Sequence, residues 1–495
     1  MKRDAGNSQA LGALALVLHG HMPYVTGFGT WPFGEEWLWE AIATVYVPLF
    51  ETIDGRAVTL GLTPVLCDQL ELLESDDAPE RERLVRFLRE LRVQLIGEDA
   101  AALERSGSPE LASAIASQGR PYARALELLA GGYAPLARAR RLREVELITS
   151  AATHPVLPLV ASERVRKLQV ATGVASQQRR FGTFKGGLWL PECAWAPQLE
   201  RVLAPIGVRY VCVDRTRELG IGALEHLEPV RLGSGLVAVP IDWATVALVW
   251  DERTGYPTAP EYRDYYRGTE HHFNAWSNDG RPYDPTRAAA RAARDAQHFV
   301  EEVAARLRAY RRARGRDGLV CCALDAELLG HWWAEGPLWL RHVLDSAAEA
   351  GIALVTLRTA AARARPDPGC RLPVASWGTD KDLSTWDCAA TDEIVHTARR
   401  AELELLRVAR IVAPRDPRAE PALARATREL LALQASDWAF MHSKRTAGPY
   451  PLERARAHRR EFDIALAALE HSRPVEAATV GNLAPDLALE YLFVP

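Results

Sequence analysis

Residues Leu11–Val25 read LGALALVLHGHMPYV, an unbroken apolar run to Leu18 that turns polar at His19, Gly20 and His21. A short apolar run with a polar C-terminal end is the pattern of a parallel strand, covered on both faces, as it reaches the mouth of a sheet or barrel. Side chains alternate along a strand, so His19 and His21 share one side of its end. The pattern recurs outward along the chain. AVTLGLTPVLCDQLE from Ala57, ELITSAATHPVLPL from Glu146, GTFKGGLWLPECAW from Gly182 and GVRYVCVD from Gly207 all read strand, then loop. LVAVPID from Leu236, GLVCCALDAELLGH from Gly318 and GIALVTL from Gly351 continue the series, with helical stretches such as Ser162–Val174 and Thr286–Arg314 interleaved. Strand-helix alternation of this kind predicts an α/β fold with a parallel sheet or barrel.

Two regions depart from the alternation. From Pro79 to about Val145 the chain is rich in Leu, Ala, Arg and Glu at helical spacing, with turn signals at Ser106-Gly107-Ser108 and Gly131-Gly132. Beyond about Pro373 the strand signal fades, and Asp392–Val412, Pro421–Ser436 and Leu452–Ser472 read as helices. The expected organisation is a barrel over 1–373 with a helical excursion at about 79–145, followed by an all-helical domain over 374–495.

With 495 residues, 48% apolar and 25% charged, the chain has ample core for such a fold. A net charge of −4 lacks the basic surplus of a nucleic-acid binder. Only five of the 60 basic residues are lysine, an Arg bias that by itself carries no recognition chemistry. Seven cysteines, an odd number without repeated metal-ligand spacing, predict reduced thiols. The apolar stretch at Leu11–Leu18 is too short for a signal sequence core, and no segment reaches the ~18 consecutive apolar residues of a membrane span. A cytoplasmic protein with no membrane partner is expected.

Polar residues at the ends of barrel strands gather at one face. Here they are His19, His21, His154, Glu192, Asp325, Glu327 and His331, and many of the 14 tryptophans crowd the same segments. Buried tryptophan is usually core, but rings in loops beside Gly, Asp or Glu suit stacking on the C–H face of a sugar. A glycosidic bond is broken by two carboxyl groups, one giving a proton to the leaving oxygen and one facing the oxocarbenium-like centre. Glu192 and Asp325, each ending an apolar run, are the best pair. His19, His21, His154, Asp325 and His331 also admit a metal reading, with Zn or Mn the suitable ions; near paired carboxyls the histidines more naturally bond sugar hydroxyls, and no metal or other cofactor is expected.

Taken together, LVLHGHMPYV, GTWPFGEEWLWEA, THPVLPL, GLWLPECAWAP, EYRDYYRG, CCALDAELLGHWWAEGP, ASWGTDKDLSTWD and LQASDWAFMHS resemble, in order and over nearly the whole length, the α-1,4-glucan branching enzymes of glycoside hydrolase family 57. The resemblance implies a distorted (β/α)7 barrel with inserted helices, a C-terminal helical domain and a retaining double displacement on an α-glucan without cofactor. It implies that Glu192 is the nucleophile and Asp325 the general acid/base. It also implies substrate contacts from His19, His21 and His154, from stacking platforms Trp31, Trp37, Trp377 and Trp386, and from Arg263, Gly280 and Asp437. A monomer or weak homo-oligomer is expected. Two departures stand out: no tyrosine lies between Tyr210 and Tyr256, where the family carries one on a lid, and Lys444, Arg445 and Thr446 occupy the place of a glutamine after the SDW segment. A lost lid favours hydrolysis over transfer, because transfer requires water to be kept from the covalent intermediate. Rival readings are an α-1,4 hydrolase, a 4-α-glucanotransferase, a glucan-binding relative without turnover, and a metal-dependent deacetylase-like hydrolase.

Overall fold

The computed structural model describes residues 11–493 apart from 31, 368, 413–418, 472, 474 and 476–479. Its strands in chain order are β1 (Gly12–Gly20), β2 (Thr59–Leu62), β3 (Glu146–Ser150), β4 (Gly187–Trp189), β5 (Tyr210–Val213), β6 (Val230–Arg231), β7 (Val237–Pro240), β8 (Gly318–Asp325), β9 (Ile352–Leu354) and β10 (Arg365–Pro366). Across the sheet they run β10-β6-β7-β5-β4-β3-β2-β1-β8, with β9 beside the start of β1. The seven strands from β7 to β8 in that order pair in parallel, whereas β6 runs antiparallel to β7. The sheet curls until the backbone N–H of Asp242, just beyond β7, donates to the carbonyl of Cys321 in β8 at 2.8 Å. That bond brings together the two ends of the seven-strand path, as expected of a distorted (β/α)7 barrel.

Strand alternation divides the core in two. Ala13, Ala15 and Val17 of β1 meet Leu319, Cys321 and Ala323 of β8 inside the barrel, while Leu14, Leu16 and Leu18 face outward with Val320, Cys322 and Leu324 against the helices. Small side chains line the inner face of the paired strands because little room remains at the axis. The inward parity continues one step further to His19 and Asp325, which are register partners at the mouth.

Between β2 and β3 lie helices Pro79–Arg86, Leu95–Arg105, Pro109–Ala130 and Pro135–Ala139. After the last strand come helices Asp392–Val412, Glu420–Leu433, Ser436–Lys444 and Tyr450–Glu470. Leu405, Leu430 and Phe462 of this C-terminal set share a core with Ala152, Val165 and Leu168 of the barrel side. The barrel helix in that core, Glu163–Phe181, starts where Ser162 Oγ accepts from the Val165 N–H and ends at Gly182 in the left-handed conformation. Gly173 lets it press onto β3, since a Cβ there would lie 2.0 Å from the Ser150 carbonyl oxygen. Arg454 ties the same helical set to the loop after β1, donating to the Tyr24 carbonyl at 2.6 Å with its guanidinium 3.7 Å from the Phe28 ring centroid. Among the described residues no helix is long and apolar enough to cross a membrane.

Candidate active site

Glu192 follows β4 and Pro191 with φ 60°, and Cys193 beside it has φ 50°. His154, in the loop after β3, has φ 58°. Left-handed backbone at non-glycine residues costs about 1–3 kcal/mol each and persists only where surrounding contacts impose it. Those contacts are present. Glu192 Oε1 accepts from Ser436 Oγ at 2.7 Å, Oε2 accepts from the Trp377 indole N–H at 2.9 Å, and the Glu192 carbonyl accepts from the Trp377 backbone N–H at 3.1 Å. Ser436 opens a C-terminal helix, so this region supplies half of the clamp on the carboxylate.

Behind Ser436 the proton order can be assigned. Its hydroxyl donates to Glu192, so it accepts from His154 Nδ1 at 3.0 Å. His154 Nε2 then accepts from His19 Nε2 at 2.9 Å, and His19 Nδ1, left without a proton, is a buried nitrogen with no hydrogen-bond partner. Burial holds both imidazoles well below the usual histidine range, as neutral rings. The chain from β1 therefore ends in a donor aimed at the carboxylate without adding a full positive charge. Ser436→Ala removes a charge-assisted bond of about 1.5–3 kcal/mol, which is about one to two pK units. For a Glu192 that works as an anion, the acid limb of the pH–kcat/KM profile should move up by that amount; an unmoved limb would reduce Ser436 to a packing residue.

The two acids, both raised by burial, differ in their neighbours. Burial raises Glu192, but the bonds from Ser436 and Trp377 and the nearby His21 pull back towards the anion. Burial, together with the carboxylates of Glu327, Glu192 and Asp437, holds Asp325 well above the usual carboxylate range and so favours its protonated form. Glu327, pushed up to about 7 chiefly by burial, accepts from the Tyr46 hydroxyl at 2.5 Å and from the His21 backbone N–H at 3.0 Å. His21 pairs with Asp437 at 3.0 Å, and against the cost of burial the carboxylates of Asp437, Glu327 and Glu192 raise its pKa. One mouth thus collects a carboxyl given two donors that favour its anion and a carboxyl whose surroundings favour its proton, the division of labour a double displacement requires.

His21, His154 and Asp437 also place one donor atom each within 4.8 Å of the others. Their lone pairs and protons are already committed to the His21–Asp437 ion pair and the Ser436 bond, so the trio reads as a hydrogen-bonded network rather than a ligand set.

The remaining expected site residues fall differently. Trp377 is half-buried, its ring tilted on Trp189 with centroids 4.9 Å apart. Trp37 lines a cavity of about 1040 Å³ with Glu40, Tyr265, Tyr266, His331 and Trp332, of which Tyr266 is 90% and Trp332 44% exposed. Arg263 also lines it but directs its guanidinium to the Ala114 carbonyl and Ser117 hydroxyl, 3.8 Å from the Tyr283 ring centroid, bracing the inserted helices. Gly280, at φ 79°, occupies a turn beside Arg267 that bonds neither Glu192 nor Asp325. Trp386 is a correction: it is 1% exposed, packed under Gly378 with Val156, Ala194 and Ala439, and offers no face to a sugar. Trp31 lies outside the described residues. Tyr46 and Ser436 were not legible as site residues; a serine opening a helical pattern reads as a cap.

Residues 140–372 match the profile of glycosyl hydrolase family 57, and residues 397–486 match that of the C-terminal region of 1,4-α-glucan branching enzymes. A probable 1,4-α-glucan branching enzyme of Mycobacterium tuberculosis is 34% identical over 92% of this chain and 93% of its own length. The chain belongs to glycoside hydrolase family 57. A second family 57 relative, the 1,4-α-glucan branching enzyme of Thermococcus kodakarensis, is 31% identical over 91% of this chain and 73% of its own. The crystal structure of the family 57 branching enzyme from Pyrococcus horikoshii superposes with a TM-score of 0.85 at 28% identity, covering 98% of this chain and 95% of that one.

Proposed function

We propose that the chain is a retaining 1,4-α-glucan branching enzyme in which Glu192 is the nucleophile and Asp325 the general acid/base. The observation that carries the roles is the contrast in their surroundings: Ser436 and Trp377 donate to Glu192, while Asp325 is buried among other carboxyls. In the first step Glu192 attacks the anomeric carbon as Asp325 protonates the departing 4-oxygen, giving a glycosyl ester on Glu192. In the second, Asp325, now ionised, takes the proton of an acceptor 6-hydroxyl as that oxygen displaces Glu192. The α-1,4 bond is exchanged for an α-1,6 bond with configuration retained. The profile match at 397–486 and the printed activities of the two curated relatives support transfer to a 6-hydroxyl.

The aromatic cavity lined by His331 and Trp332, which follow Glu327 in the chain, suits a glucan chain, since its flat rings offer apolar faces between polar groups. Seven free thiols, five of them buried, fit work in a reducing cytoplasm on a glycogen-like polymer. The segment between Tyr210 and Tyr256, which has no tyrosine, favours a second reading in which water competes for the intermediate. Linkage analysis of unbranched amylose after incubation decides between them. New α-1,6 linkages in clear excess over net new reducing ends are expected; reducing ends without α-1,6 linkages would make the chain a hydrolase, and neither, with redistributed chain lengths, a 4-α-glucanotransferase.

A further inference from the structure

Lysine is scarce in this chain, and Lys381 holds one of the five between a buried carboxylate and an indole ring. It lies in the loop Ser376–Trp386 with φ 57°, donating its backbone N–H to the Gly378 carbonyl at 3.0 Å and accepting from the Ser376 N–H at 3.3 Å. Its ammonium sits 3.2 Å from Asp214 Oδ2 and 2.8 Å from the centroid of the Trp243 ring. The Asp214 side chain is wholly buried and that of Lys381 is 14% exposed. Asp214 directly follows β5, and Trp243 follows the residue that closes the barrel onto β8. The same ammonium lies 3.5 Å from the Trp377 carbonyl. The ammonium, a compact point charge, bridges the carboxylate and the ring face at these distances.

Trp377 grips Glu192 at both its carboxylate and its carbonyl, yet no strand holds Trp377 itself. The loop is secured at its rim by exposed contacts, Arg217 to Asp382 at 3.1 Å and Lys444 to Thr379 at 2.6 Å. Beneath Gly378 it rests on the buried Trp386 ring. Lys381 provides a buried ionic attachment of this loop to the barrel, and it does so within four residues of Trp377. Exposed ion pairs hold a backbone only weakly, whereas releasing one partner of a buried pair leaves an uncompensated buried charge and is costly.

We propose that Lys381 is a positioning residue for Glu192, acting through Trp377 by fixing the loop to Asp214 and Trp243. The proposal rests on Glu192 being the nucleophile. Its test compares Lys381→Met with the double variant Lys381→Met/Asp214→Asn, which removes the buried negative charge that the single variant leaves unpaired. Thermal midpoint and the pH dependence of kcat and KM on amylose are read for both, with Glu192→Ala measured alongside.

Both Lys381 variants should lose kcat on the order of 10- to 100-fold with KM little changed, as expected of a misplaced reacting group. The acid limb of kcat/KM should move up by about one pH unit, the tenfold shift expected when the Trp377 donor to the carboxylate is loosened. The double variant should regain thermal stability but not the limb or kcat. A folded variant with wild-type limb and kcat would overturn the proposal while leaving Glu192, dead as alanine, as the nucleophile. Recovery of kcat and limb in the double variant would also overturn it, assigning the defect to unpaired Asp214. Turnover retained by Glu192→Ala would instead remove the nucleophile assignment on which the proposal stands.

Discussion

Glu192→Ala should lower turnover on amylose by at least about 10⁴-fold while leaving glucan affinity nearly unchanged. The carboxylate is the group that the site goes furthest to hold: two donors, a left-handed backbone and a histidine chain from β1 all converge on it. Removing it takes away the attacking atom but leaves Trp37, Tyr265, Trp332 and the rest of the cavity wall in place. Azide offered with an activated α-glycosyl fluoride should enter through the vacated space on the opposite face of the ring and yield a β-glycosyl azide. Amylose cleavage at the normal rate, or an α-configured azide product, would defeat the assignment.

Asp325→Asn should be the second large loss, about 10²–10⁴-fold on amylose, because an amide cannot protonate the leaving oxygen. The size of the loss should depend on the leaving group. Fluoride departs without a proton, so formation of the glycosyl ester from an α-maltosyl fluoride should recover most of its rate. Wild-type activity requires Asp325 protonated for the first step, so it falls as pH rises past the elevated pKa that burial and the neighbouring carboxyls maintain. With the fluoride substrate that alkaline limb should be absent in the asparagine variant. Equal losses on amylose and fluoride would place the acid elsewhere, with Glu327 the first alternative, since it shares the mouth and titrates near 7.

How much of this was visible in the chain follows from the range of the signals. Period-two alternation and apolar runs are local, and they identified the strands, the inward parity of His19 and Asp325, and the helical regions on either side. The stacking role that the resemblance implied for Trp386 is not met, because a matching motif carries the residue type but not the side from which its ring meets the loop, and Trp386 supports that loop from below. Arg263, a substrate contact by the same resemblance, lines the aromatic cavity, while its hydrogen bonds run to an inserted helix at a sequence separation of 149 for Ala114.

The strand segments, the two acids at strand ends and the family were therefore written in the primary structure, because apolar periodicity and the acid-bearing motifs need no knowledge of distant contacts. The state of those acids was not. Ser436 reaches Glu192 across 244 residues, Trp377 across 185, and Lys381 finds Asp214 just beyond β5. Burial and hydrogen bonding set which carboxyl carries the charge and which the proton, and both arise only when chain segments that are remote in sequence are folded into contact.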